Sequence, residues 1–209
     1  MDAEFWDQRY LGRDRLFSGN PNGVLVTEVS DLPPGRALDV GCGEGGDAGW
    51  LAGRGWRVTA VDISQVALDR AARTIGDPRV TWTRADLTAQ PPAGAFDLVS
   101  IQYFPLPRRA GHAALRGLLA AVAPGGTLLI GAHDLADLPP GGDHDVDPGE
   151  YYQPAEIAAL LDRDWTVLIN ETRPRTTPAP PGTAHAHDTV LRAQRVPAGE
   201  TSQLTRPLR

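Results

Sequence analysis

The chain has 209 residues, enough for one domain with a substantial core, a formal net charge of −6 and a single cysteine. The acidic balance argues against a nucleic-acid partner, and one cysteine excludes an intrachain disulfide and a cysteine-rich zinc site. No apolar run approaches the roughly 18–20 residues that cross a bilayer, and all 20 cationic residues are arginine, which removes lysine Schiff-base and lysine-base chemistry.

The N-terminal MDAEFWDQRY lacks the basic start and apolar middle of a signal peptide, so a cytoplasmic protein with no membrane partner is expected. A short helix, in which Trp6 and Tyr10 share a face at i, i+4, leads to a turn about Phe17 to Asn22. Val24, Leu25, Val29 and Leu32 fit a second helix, stopped by Pro33, Pro34 and Gly35. These first 35 residues are too few for a separate domain but enough for a lid.

Strands and helices then alternate. Arg36 to Val40 reads as a strand, Gly46 to Gly53 as a helix and Arg57 to Val61 as the second strand. Ser64 caps a helix whose Leu68, Ala71, Ala72 and Ile75 recur on one face. Arg79 to Thr83 and Ala95 to Ile101 are the third and fourth strands. Leu115, Leu118, Leu119 and Val122 repeat the helical spacing, Pro124 to Gly126 force a turn, and Thr127 to Ala132 is the fifth strand. Such repeated units predict an α/β fold, a parallel sheet with helices on both faces.

Residues 134–150 are rich in acids and read as a solvated loop. Pro154 suits the first position of a helix carrying Ile157, Leu160 and Leu161. Trp165 to Glu171 is a strand, residues 173–182 a proline-rich loop, and His187 to Ala193 the last strand. Residues 1–195 are thus read as a single domain, with residues 1–35 as its lid and 196–209 as a polar tail.

The chemistry centres on the first strand–helix junction. Gly41, Gly43, Gly45 and Gly46 form a turn of the kind that brings backbone N–H groups to a polar ligand at a helix N-terminus. Asp62 closes the next strand about 20 residues on, where an acid can hold a ribose diol. Taken literally, Gly41, Gly43 and Gly46 satisfy GxGxxG and admit an NAD(P)-dependent oxidoreductase. Asp39, two residues before the turn, suits a ligand with a cationic amino acid portion and fits poorly beside a pyrophosphate. Its alternative role is to fix nearby backbone N–H groups. Asp86, in TRADL after the third strand, can meet an adenine amino group.

DVGCGEGG, AVDIS, RADL, FDLVS and APGG, in that order over roughly residues 35–132, resemble the motifs of class I S-adenosylmethionine-dependent methyltransferases. FWDQRY and SGNPN resemble the small tellurite-resistance and thiopurine-type group within them. The resemblance implies a Rossmann-like, doubly wound seven-stranded sheet, mostly parallel, with the last strand antiparallel beside the fifth. It implies S-adenosyl-L-methionine as the cofactor, with Gly41 and Gly43 against its methionine part and Asp62 on the ribose. Asp86 would stand at the adenine, with Ile63 and Leu87 on its faces. Cys42, a small packing residue rather than a nucleophile, and Gln102 on the rim complete the expected cofactor site.

Ligands of such sheets gather at the carboxyl ends of the parallel strands. That rim holds Gln102, Tyr103 and Phe104 after the fourth strand, His133 and Asp134 after the fifth, and His185 and His187 at the start of the last. Three readings compete for the histidines: a general base His133 oriented by Asp134, a metal site drawing on His133, His185, His187 or His144, and hydrogen-bonding groups that shape the pocket. Trp6, Tyr10, Phe17 and Tyr103 are expected to wall in the substrate. The expected activity is methylation of a small-molecule acceptor: a thiol, a selenol or other soft nucleophile, or an aromatic hydroxyl or amine. A non-catalytic cofactor-binding module is the rival from another class.

Overall fold

Seven strands order themselves β3-β2-β1-β4-β5-β7-β6 in one sheet. The computed structural model describes residues 1–90, 92–108, 112–137, 148–178 and 185–199. In chain order the elements are α1 (Ala3–Leu11), α2 (Gly23–Val29), β1 (Arg36–Val40), α3 (Gly46–Gly53), β2 (Arg57–Asp62), α4 (Gln65–Thr74) and β3 (Val80–Arg84). They continue with β4 (Phe96–Gln102), α5 (Ala113–Ala120), β5 (Val122–His133), α6 (Pro154–Leu160), β6 (Trp165–Pro174) and β7 (His187–Arg195). β7 runs antiparallel between β5 and β6, and the other neighbours pair in parallel. The doubly wound seven-stranded architecture is therefore present, with the last strand reversed.

The central strands are buried almost throughout, as parallel strands covered on both faces must be. One face packs Val24, Leu25, Leu51 and Leu68 from α2, α3 and α4. The other packs Leu115, Leu118 and Ile157 from α5 and α6. Ser64 caps α4 by accepting the Ala67 N–H at 3.1 Å. Pro154 opens α6, where Gln153 and Glu156 form a reciprocal capping box.

Two boundaries differ from expectation. Val122 does not belong to the helical face; it opens β5 and pairs with Phe96. Pro124 to Gly126 then bulge from the ladder before Thr127 resumes pairing with Leu98. β6 also runs on to Pro174, tolerated because this is an edge strand. Residues 138–147, including His144, residues 179–184 of the proline-rich loop and residues 200–209 of the tail lie outside the described residues. Among the described residues, no helix is long and apolar enough to cross a membrane.

Strand order reverses between β1 and β4, so a crevice opens at their carboxyl ends. The glycine turn leaves β1 on one side of it, and Gln102 and Tyr103 leave β4 on the other.

Candidate active site

A cavity of about 1380 Å³ occupies this crevice, larger than the roughly 300–1,000 Å³ of a usual small-molecule pocket. It has room for two ligands side by side. Its wall includes Asp39, Gly41, Cys42, Gly43, Asp62, Ile63, Asp86, Leu87 and Gln102 at one end, and Trp6, Tyr10, Phe17, Tyr103 and His133 elsewhere. Asp134, His185 and His187 are not on it.

The alternate glycines answer a backbone requirement. Gly41, Gly43 and Gly45 all have positive φ, at 68°, 52° and 84°, which side chains adopt at a cost. A Cβ on Gly41 would also stand 2.6 Å from the Phe104 ring. The turn is hung from β2, because the Gly41 and Cys42 N–H groups both donate to the Val61 carbonyl.

Asp62 spans the turn and the next loop. Its Oδ2 accepts the Gly43 N–H and its Oδ1 the Ser64 N–H, each at 2.8 Å. Each oxygen keeps a lone pair for a further donor, which suits a vicinal diol. Burial raises its pKa, while these backbone bonds act the other way. Asp86 Oδ1 is occupied by the Thr88 N–H and hydroxyl at 2.8 and 2.6 Å, which leaves Oδ2 without a hydrogen bond.

Asp39 is buried and sits well above the ordinary carboxylate range, through burial first and then repulsion by Asp47 and Asp62. The nearby Ala48 N–H at the start of α3 acts weakly the other way. Among the described residues Asp39 Oδ2 meets no donor, and neither does Gln102 Oε1. Asp39 pairs with Ser100 across β1 and β4, and Gln102 lies two residues further along β4, so both side chains share one sheet face. Asp39 Oδ2, a buried acceptor beside the cavity, suits an ammonium group, whereas Gln102 Oε1 is turned over Gly131 of β5. The residues present therefore fit S-adenosylmethionine, whose amino acid portion carries such a group.

Cys42 packs into the apolar cluster beneath α3, and burial followed by Asp39 and Asp62 pushes its thiol up. A thiolate nucleophile is not available there. The N-terminal segment lies across the turn, held by acids the sequence reading had not used. Glu44 Oε2 accepts the Leu16 and Phe17 N–H groups, each at 3.1 Å, and its Oε1 meets Arg70 at 3.2 Å. Asp47 accepts the Asn22 N–H and side-chain amide at 2.7 and 2.9 Å. Asp7 in α1 accepts the Ser64 hydroxyl at 2.5 Å. These bonds set Tyr10 against Gly43 and its ring 6.1 Å from that of Phe17.

At the rim, Tyr103 has φ 52°, a strained conformation for a non-glycine residue, fixed by its N–H donating to the Gly131 carbonyl at 2.7 Å. Its hydroxyl donates to Asp188 at 2.8 Å. Arg175 Nη1 reaches Asp188 at 2.6 Å, the Tyr103 hydroxyl at 3.1 Å and His133 Nδ1 at 3.3 Å. An arginine only donates, so His133 Nδ1 is the acceptor and its proton sits on Nε2. Burial, then His185 and then Arg175 push the His133 imidazole down to about 3. Its ring stacks on His185, with centroids 3.7 Å apart.

The expected His133–Asp134 base pair is not formed. Asp134 instead accepts the Ala136 N–H at 3.1 Å, folding a short turn after β5. His187 is drawn to Asp137, with Nδ1 3.0 Å from its carboxylate, and so leaves the rim. Among the described residues no three histidine, cysteine or acidic side chains gather as a metal set. Arg175 and Asp188 escaped the sequence reading because they lie 13 residues apart across a proline-rich loop and match no motif.

Residues 37–126 match the family model described as a methyltransferase domain. An uncharacterised methyltransferase of Mycobacterium tuberculosis is 40% identical over 108 residues, covering 51% of this chain and 55% of that one. The trans-aconitate 2-methyltransferase of Rhizobium meliloti is 36% identical over 126 residues, or 57% and 46% of the two chains. The chain thus spans about half the length of these curated relatives. The solved N-methyltransferase NodS of Bradyrhizobium japonicum, in complex with S-adenosylhomocysteine, superposes with a TM-score of 0.70 at 18% identity over 93% of this chain and 99% of that one. Motif order and the family match agree over residues 37–126, which are similar to a methyltransferase domain, and the sheet order is that of the fold the solved neighbour shares.

Proposed function

We propose that this protein transfers a methyl group from S-adenosylmethionine to a small-molecule nucleophile that needs no strong base, such as a thiol, a selenol or an amine. The observation that carries this reading is the single cavity joining the glycine turn to the His133 rim. The bound donor would supply the electrophilic methyl carbon. Asp39 would take its ammonium group, and Asp62 its ribose hydroxyls. Trp6 and Tyr10 of α1, tied down through Asp7, and Phe17, held by Glu44, would exclude water from the transfer path.

His133 enters as an orienting group rather than a base. Its Nδ1 lone pair faces Arg175, and a conjugate acid at about 3 removes a phenolic proton only weakly. Thiols ionise at about 8.5, below phenols at about 10, and amines react as free bases, so such acceptors are favoured over phenols. The named relatives differ in what they methylate, which makes this chain's own rim the guide to its acceptor.

Calorimetry with S-adenosylhomocysteine and with NADH, followed by turnover over a panel of thiols, selenols, amines and phenols, tests the proposal. Binding of S-adenosylhomocysteine together with turnover of a thiol, selenol or amine supports it. NADH binding without S-adenosylhomocysteine binding, or cofactor binding without turnover of any acceptor, overturns it.

A further inference from the structure

Arg175 is the most deeply buried cation of the cavity wall, with only 8% of its side chain exposed. Its hydrogen bonds all leave from one nitrogen, Nη1, which serves Asp188, Tyr103 and His133. Among the described residues the opposite edge of the guanidinium is unused. Nε is buried without any partner, and Nη2 makes no hydrogen bond among the described residues.

That edge presents two parallel N–H groups, from Nε and the adjacent Nη2, in the spacing of a carboxylate or phosphate. A buried donor left unmade costs about 1–3 kcal/mol, so an unused pair beside a cavity is a feature to be explained. Asp188 fixes the guanidinium at its other end and, at 2.6 Å, orients it without occupying the free edge. His133 is neutral, and its ring with that of Tyr103, centroids 4.4 Å apart, forms a flat wall beside the same guanidinium, whose carbon lies 5.2 Å from the Tyr103 ring centroid.

We propose that Arg175 is the acceptor-recognition residue of the site, and that the acceptor carries an oxyanion, a carboxylate or phosphate, taken side-on by its Nε and Nη2 groups. This deepens the methyltransferase reading and rests on it for the word acceptor, although the oxyanion site itself does not require turnover. The oxyanion serves as the handle, and the nucleophile lies elsewhere on the same molecule, towards the glycine turn. An anionic acceptor is also drawn to a cationic methyl donor across a cavity of low dielectric.

The test uses the full chain with and without S-adenosylhomocysteine, and non-reacting probes. By calorimetry, 3-mercaptopropionate is compared with its neutral amide, and inorganic phosphate with buffer alone. The expected result is that the acid binds at least tenfold more tightly than the amide, or that phosphate binds, which tells the two oxyanions apart. Arg175→Lys keeps a cation opposite Asp188 but lacks the side-on pair, and should abolish the preference while leaving the S-adenosylhomocysteine affinity within twofold. Equal binding of acid and amide with no phosphate binding, or a preference that survives in Arg175→Lys, overturns the proposal. The wild-type comparison decides even where the variant folds poorly. Failure of S-adenosylhomocysteine to bind would sink the methyltransferase reading alone, because the probe titrations without it still report the oxyanion site.

Discussion

Replacing His133 by glutamine isolates the cost of keeping an imidazole neutral at the rim. Burial, His185 and Arg175 depress its pKa from 6.5 to about 3. A depressed histidine contributes its full stability above the unfolded value of 6.5 and loses it as the pH falls from there towards about 3, because only the unfolded chain takes up the proton. At pH 5 the wild type should have lost about 2 kcal/mol relative to pH 7.5 through this group. Glutamine keeps an acceptor for Arg175 and cannot titrate, so its stability relative to wild type should improve by that amount on acidification. Against a total of roughly 5–15 kcal/mol the change is easily measured. Urea denaturation of both proteins at the two pH values reads it, and an NMR titration of the imidazole reads the cause. A His133 that titrates near 6.5, or a stability difference that does not move with pH, would refute both the neutral imidazole and the case against a base.

Asp39 shifts in the opposite direction. Its carboxyl is raised by burial and by Asp47 and Asp62, and a bound ammonium would favour the ionised form. S-adenosylhomocysteine binding should therefore release a proton and tighten by up to about tenfold per pH unit until the pH exceeds the raised pKa. Asp39→Asn should flatten that slope, and an unchanged slope in calorimetry at several pH values would remove Asp39 from the ammonium site. Glu44→Ala frees the Leu16 and Phe17 N–H groups and the Arg70 guanidinium at once. Losing charged hydrogen bonds of about 1.5–3 kcal/mol each should loosen residues 1–22 before the sheet unfolds. Trypsin should then cut faster at the exposed Arg13 and Arg15, and an equal cleavage rate in variant and parent would show that Glu44 does not hold the segment.

The parts of this molecule legible in its sequence are those set by short-range rules. The glycine turn, Asp62 and the Ser64 cap lie within two consecutive strand–helix units, where periodicity and backbone demands act over a few residues. The rim was harder because strand register decides it. Asp188 faces His133 only through the antiparallel pairing of β7 with β5, a contact across 55 positions of sequence. His185 and His187 looked equivalent by alternation, but the strand begins at His187, so alternation does not reach His185. Asp137, in a turn that shows no apolar period, then claims His187. Val122 was misread for a similar reason: its spacing after Leu115 and Leu118 is helical, yet pairing with Phe96 offers it a place in the sheet.

The acids of GEGGD tie the glycine turn and the aromatic wall into one unit. Glu44 and Asp47 stand inside the glycine turn proposed to seat the donor, yet their carboxylates point away to Leu16, Phe17 and Asn22. Asp62, the expected ribose ligand, holds the Gly43 N–H, and the hydroxyl of Tyr10 lies against the same glycine. A displacement of the turn on cofactor binding would therefore move the aromatic wall with it, through bonds of 2.7 to 3.1 Å rather than through a hinge. Residues 12–22, after α1, show almost no regular pattern of their own because their geometry is borrowed from the turn beneath them. Exchanging this segment with that of a relative would transfer its acceptor preference only if Glu44 and Asp47, or their equivalents, were exchanged as well.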